Sequence, residues 1–240
     1  DPTNTGPINF TVVFSESVVG FTNTDVTITG TATGTFTTTV TGTGPTYNVA
    51  ISGMTGSGTV IVTIGVNVVT DAAGNNNTAS TSTDNTVTFD NTALTVTINQ
   101  AAAQADPTNI SPINFTVIFS KPVTGFTNAD VLLSGTAGAT TVNVTGTGAN
   151  YNVAVSGMVG SGTVIANIPA GAALDASNNT NLPSVSTDNT VTFDNVGTTV
   201  TINQAAGQLD PTGASPINFT VVFSEAVIGF TGADVALTGT

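Results

Sequence analysis

The chain has 240 residues, of which 14 are acidic and one, Lys121, is basic, giving a net charge of −13, with no His, Cys or Trp. Nucleic acids and anionic membrane surfaces require clustered Lys and Arg, so this composition excludes both as partners. It likewise excludes disulfides, thiol chemistry and cysteine metal sites, and leaves the abundant Ser and Thr without a His to activate them.

Residues 1–15 open with the turn Asp1-Pro2-Thr3-Asn4 and continue into Pro7-Ile8-Asn9-Phe10-Thr11-Val12-Val13-Phe14-Ser15. Ile8, Phe10, Val12 and Phe14 fall on one face of a strand, because side chains alternate with a period of two. A loop around Gly20 and Phe21 ends at Asp25, and short strands are predicted at 26–30 and 35–41. Tyr47, Val49 and Ile51 alternate on a further strand, and a Gly-rich hairpin over 53–58 is predicted to lead into 59–65. A polar loop from Asp71 to Thr83 precedes a last strand, Asn85–Asp90, and a linker of only Asn91-Thr92-Ala93 precedes a strand at Leu94–Asn99.

Then everything repeats. The Pro7–Ser15 strand recurs at Pro112 and Pro216, spaced 105 and then 104 residues apart, and residues 82–91 recur unchanged at 186–195. A period of this length is a whole small domain; solenoid coils and propeller blades need only about 20–50 residues. Seven or eight short strands per repeat, with turn signals and no helical period, predict an all-β fold of antiparallel sandwiches. The frame expects a complete repeat at 92–195, a repeat at 1–91 lacking its first strand, and the N-terminal part of a third at 196–240. Neither partial repeat is expected to have a complete core. Either the array continues in a longer parent chain, which also holds any targeting segment, or neighbouring chains supply the missing strands.

The series Pro-Ile-Asn-Phe-Thr-Val-x-Phe-Ser-x-x-Val-x-Gly-Phe-Thr-x-x-Asp-Val, at Pro7–Val26, Pro112–Val131 and Pro216–Val235, resembles the tandem bacterial Ig-like repeats of large surface and secreted adhesins. The segment Ala172–Asn179 fits as well, and the resemblance covers essentially the whole chain. It implies Ig-like β-sandwiches in a linear array, an extracellular or cell-surface location, and a structural, non-catalytic role as spacer or stalk. The partners it implies are neighbouring repeats of the same chain. Calcium at domain junctions, known in some similar repeats, is the one cofactor it brings into view.

With Ig topology assumed, Asp90 and Asn91 are expected beside Asp130 and Asp175, with Asn179 in the same loop as Asp175. Asp194 and Asn195 are expected beside Asp234. Carboxylates converging on a two- or three-residue linker offer the oxygen ligands calcium takes, six to eight of them. The bland reading of the same residues is structural. Asp25, Asp130 and Asp234 each follow Thr by three residues, a spacing at which Asp caps backbone N–H groups, and Asp71 and Asp175 introduce Asn-rich turns. Two other functions stand beside the spacer. Thr-rich, weakly charged strand edges are open to pairing between identical chains in a filament or matrix fibre. A carbohydrate-binding module needs exposed aromatic platforms, but Tyr47 and Tyr151 alternate with core residues.

Overall fold

A computed structural model describes residues 1–239. By internal contacts the chain divides into two compact units, Asp1–Phe193 and Asp194–Thr240. The first repeat contributes β1 (Ile8–Val13), β2 (Val18–Val19), β3 (Val26–Thr29), β4 (Thr33–Thr43), β5 (Thr46–Gly56), β6 (Gly58–Ile64), β7 (Thr70–Asp71) and β8 (Thr86–Phe89). The second contributes β9 (Val96–Gln100), β10 (Ile113–Phe119), β11 (Leu132–Ser134), β12 (Thr141–Thr147), β13 (Asn150–Ser156), β14 (Gly162–Asn167) and β15 (Thr190–Phe193). β16 (Val200–Gln204) and β17 (Phe219–Phe223) belong to the unit that starts at Asp194. Single 3-10 turns at Asn23–Asp25, Asn128–Asp130 and Gly232–Asp234 interrupt the strands, and among the described residues no helix is long and apolar enough to cross a membrane.

Each of the first two repeats is built on a pair of small antiparallel sheets, to which the first adds the two-stranded β2-β7 sheet, and among the described residues there is no barrel. The first has orders β1-β5-β4 and β3-β6-β8; the second has β12-β13-β10-β9 and β11-β14-β15. Register is shared: Phe10 faces Val49 as Phe115 faces Val153. Each repeat has its own apolar cluster, drawn from both of its sheets. The opening loop of each repeat is tied to its last strand. Thr3 bridges Phe89 and Thr108 bridges Phe193, while the carboxylates of Asp1 and Asp106 accept from Thr88 N (2.7 Å) and Thr192 N (2.9 Å).

Alternation explains the burial, and β9 explains its depth. In the second repeat Ile113, Phe115, Val117 and Phe119 are all sealed, because β10 has β13 on one side and β9 on the other. In the first repeat β1 pairs with β5 alone, and Phe10, Val12 and Phe14 are only half-buried. The two unequal faces come from nearly the same sequence. The difference is one neighbouring strand.

The structure corrects one element. Residues 53–58 are not a hairpin: β5 runs through Gly56, and β6, starting at Gly58, belongs to the other sheet, so the chain crosses between sheets there. The hairpin of that sheet lies earlier, at the turn between Thr43 and Thr46. Gly135 shows what such a crossing needs. Its φ is +105°, and a Cβ there would stand 2.2 Å from the Thr163 carbonyl oxygen, so only glycine fits.

Each sandwich is pinned by aromatic rings meeting edge to face. Phe14, Phe21 and Tyr47 have centroids 5.0–5.9 Å apart, and Phe119, Phe126 and Tyr151 repeat the set at 5.2–5.9 Å. The tyrosine hydroxyls donate to the carbonyls of Val18 (3.3 Å) and Val123 (3.4 Å). These tyrosines are core posts, with their faces turned to other rings. In the unit starting at Asp194, β16 pairs with β17 and Phe223 packs on Phe230 at 5.0 Å. None of its described residues from 196 onward is buried.

Candidate functional site at the repeat joint

Three segments far apart in sequence meet where the first repeat hands over to the second. Asp90 leaves β8 with its N–H on the Thr3 carbonyl (2.8 Å), fixing the start of the linker. Its Oδ1 accepts from Thr92 N at 3.0 Å, an Asx turn that folds the linker back on itself. Asn91 is held within its own repeat: its Nδ2 donates to the Thr55 carbonyl (3.0 Å), its N–H to Ser57 Oγ (3.0 Å).

From the second repeat comes Lys121, in the loop after β10. Its Nζ donates to Asp90 Oδ2 (2.7 Å), Asp175 Oδ2 (2.9 Å) and the Thr92 carbonyl (3.2 Å). An ammonium has three hydrogens, and here one goes to each repeat and one to the linker between them. Asp175 sits in a turn after β14. Its Oδ1 accepts from Ser177 N and Asn179 N, both at 2.9 Å. Asn179 completes the knot: its amide donates to the Asp90 carbonyl (2.9 Å) and to Asp175 Oδ2 (3.0 Å), while its Oδ1 accepts from Asn4 (3.1 Å). Ser177 Oγ reaches Asp90 Oδ2 at 3.4 Å.

The electrostatics follow from this packing. The hydrogen bond from Lys121 holds the Asp90 carboxyl well below the usual carboxylate range, against an opposing push from burial. Burial pushes the Asp175 carboxyl up, but hydrogen bonds from Asn179, Lys121 and Ser177 outweigh it and leave the group lowered. Lys121 is the mirror case: burial disfavours its charge, and the two carboxylates more than compensate, so its pKa is raised. Asp175, with its side chain 2% exposed against 25% for Lys121, is the member that least tolerates being unpaired.

The sequence-derived set divides. Asp90, Asp175 and Asn179 come together at this joint; Asn91 flanks it and faces Thr55 and Ser57. Asp130 turns back on its own 3-10 turn, with Oδ2 accepting from Thr127 N and Oγ1, both at 2.7 Å. Asp234 does the same with Thr231, at 2.8 and 2.9 Å, as does Asp25 with Thr22. Asp194 accepts from Val196 N at 3.0 Å, and Asn195 is exposed in the segment leading to β16. As a calcium site the Asp90–Asp175 donor set does not fit. Calcium needs carboxylate lone pairs turned to one point, and here that point is taken by an ammonium. Among the described residues no group of three or more acidic side chains converges on a metal position.

Sequence reasoning does not single out Lys121, because its counterparts in the other repeats are Glu16 and Glu225. The signal was available all the same: the one cation in a chain of 14 acids is the natural partner for a crowded pair of carboxylates. Compared with known proteins, the chain matches no family model, no curated protein and no solved structure.

Proposed function

We propose that the chain is a non-catalytic array of Ig-like repeats serving as an extracellular spacer, a length of the stalk of a large bacterial surface adhesin. The observation that carries this reading is the joint. A spacer has to transmit direction from one domain to the next, and a three-residue linker alone leaves that direction free. Here the linker is clamped by an ammonium bonded to both repeats and by an amide, Asn179, bonded to both as well. The composition supports the same reading, since the only basic side chain is fully engaged and there is no His or Cys to act as base or nucleophile. The uniform negative charge keeps such chains apart in solution.

The chain has no Cys, so two introduced cysteines give the only label sites. Spin labels at the exposed Thr39→Cys and Thr145→Cys positions report the distance between the first two repeats. A stiff joint predicts a single narrow distance distribution, broadened when Lys121→Met is added. A distribution already broad in the parent chain would refute the spacer reading.

A further inference from the structure

In the second repeat the chain enters along β9 and leaves along β15. On one side of β9 lies β10, antiparallel, with Val96 opposite Phe119 and Ile98 opposite Val117. On its other side lies the segment 181–188, which leads into β15 and runs parallel to β9: Leu94 bridges Asn181 and Thr97 bridges Val185. The bonds across this seam follow both segments in step. Leu182 N donates to the Leu94 carbonyl (2.8 Å), Val185 N to the Val96 carbonyl (3.0 Å) and Gln100 N to the Asp188 carbonyl (2.6 Å). Asn99 latches the far end, where its Oδ1 accepts from Ser186 Oγ (3.0 Å), Thr187 N (3.0 Å) and Asp188 N (3.1 Å). The order continues past β9, with Thr108 N on the Thr192 carbonyl (2.9 Å) and Thr108 parallel to Phe193. Leu94, Val96 and Ile98 are sealed beneath the seam.

We propose that the second repeat is a load-bearing module, and that the seam between β9 and residues 181–188 is its mechanical clamp. Because the two segments are parallel, the entry at Leu94 and the exit at Phe193 lie at opposite ends of one seam. Tension along the chain draws β9 toward the entry and the 181–193 segment toward the exit. The two must slide lengthwise past each other, so every bond of the seam carries load at once. Antiparallel neighbours would bring entry and exit to the same end, where the same pull opens the bonds one at a time. Sliding meets a second resistance from parity. A shift of one residue turns Leu94, Val96 and Ile98 out of the core they seal. The Asn99 latch adds a third, since its three donors must all lose their acceptor before the far end moves. The inference stands apart from the spacer reading, because a domain can resist tension whether or not the joint beside it is stiff.

Pulling single full-length chains between pairs of introduced cysteines tests this, since the pair sets the direction of pull. Ala93→Cys with Val196→Cys, both at exposed positions, loads the seam lengthwise. Ala93→Cys with Leu182→Cys puts both handles at the entry end, Leu182 being 51% exposed, and peels the seam open. Both pairs load the second repeat alone, so the result does not depend on the stiffness of the joint. The expected result is a rupture force several-fold higher lengthwise than in peeling. Asn99→Ala is expected to raise the unfolding rate at a fixed lengthwise force about 10-fold. It is expected to leave the peeling force unchanged, because peeling reaches the latch last. Equal rupture forces in the two directions overturn the proposal, and that comparison needs no variant of the clamp itself. So does an Asn99→Ala chain that is weakened equally in both.

Discussion

At the scale of single residues the joint turns on Lys121. Replacing it with Met removes one charge and leaves Asp175 buried and anionic without its partner, so Lys121→Met is expected to cost about 2 kcal/mol. The pH dependence has a definite sign. The Asp90 and Asp175 carboxyls are lowered in the folded chain, so their contribution is complete above the unfolded value of about 3.9 and is lost as pH falls through their folded values. Lys121 is raised, so its share is complete below about 10.4 and lost only in stronger alkali. Thermal melts of the parent chain and Lys121→Met are therefore expected to differ at pH 7, with a gap that begins to narrow below about pH 3.9 and closes only once the pH has passed the lowered folded values of both carboxyls. An undiminished gap in acid would show that the ion pairs are not its source. Some of this chemistry was readable in advance. The Thr-x-x-Asp spacing fixes the capping role of Asp25, Asp130 and Asp234, because Thr and Asp lie within one turn. The Lys121 clamp spans 31 and 54 residues in sequence, and no local pattern encodes a contact of that length.

At the scale of elements, period-two alternation placed β1, β5, β10 and β13 with the correct faces inward. It did so because burial in a strand depends on parity, which the sequence carries residue by residue. The crossing between β5 and β6 reads in the sequence as a hairpin, but the two strands lie in different sheets. Glycine marks tight turns and close backbone approaches alike, and the sequence does not say which sheet the next strand joins. Gly135 makes the distinction testable. At φ +105°, with a carbonyl 2.2 Å from where a Cβ would lie, Gly135→Ala is expected to destabilise the second repeat by about 1–3 kcal/mol. Gly148→Ala has a positive φ but open space around the added carbon, so it is the control for conformation without collision. Chemical denaturation of the two variants side by side measures the difference. Equal losses would mean that backbone conformation alone sets the cost.

At the scale of the whole chain, the period was legible because three copies of one strand give it directly. The grading of the copies was legible only in outline. A missing strand predicts a weaker core, but not how far the burial of Phe10, Val12 and Phe14 falls short of that of Phe115, Val117 and Phe119. Nor does it predict that the first two repeats fall within one compact unit while the break comes at Asp194. Amide hydrogen exchange should rank the copies. β10 and β13, sealed between neighbours, should exchange slowest; β1 should exchange faster; and β16 and β17, with no buried residue around them, should exchange fastest of all. Protection of β16 equal to that of β9 in dilute chain would contradict the assignment of burial.

The engagement of Lys121 also bears on how long such a chain survives among digestive enzymes. Proteases of the trypsin type seize a basic side chain in a deep acidic pocket before they cut the bond that follows it. This sequence presents them with one such side chain, its ammonium already bonded to two carboxylates and a carbonyl. The next residue is Pro122, whose ring removes the N–H and restricts the backbone before it. The lysine that joins the first two repeats is thus also the only handle such a protease has on the chain, and the fold keeps it closed.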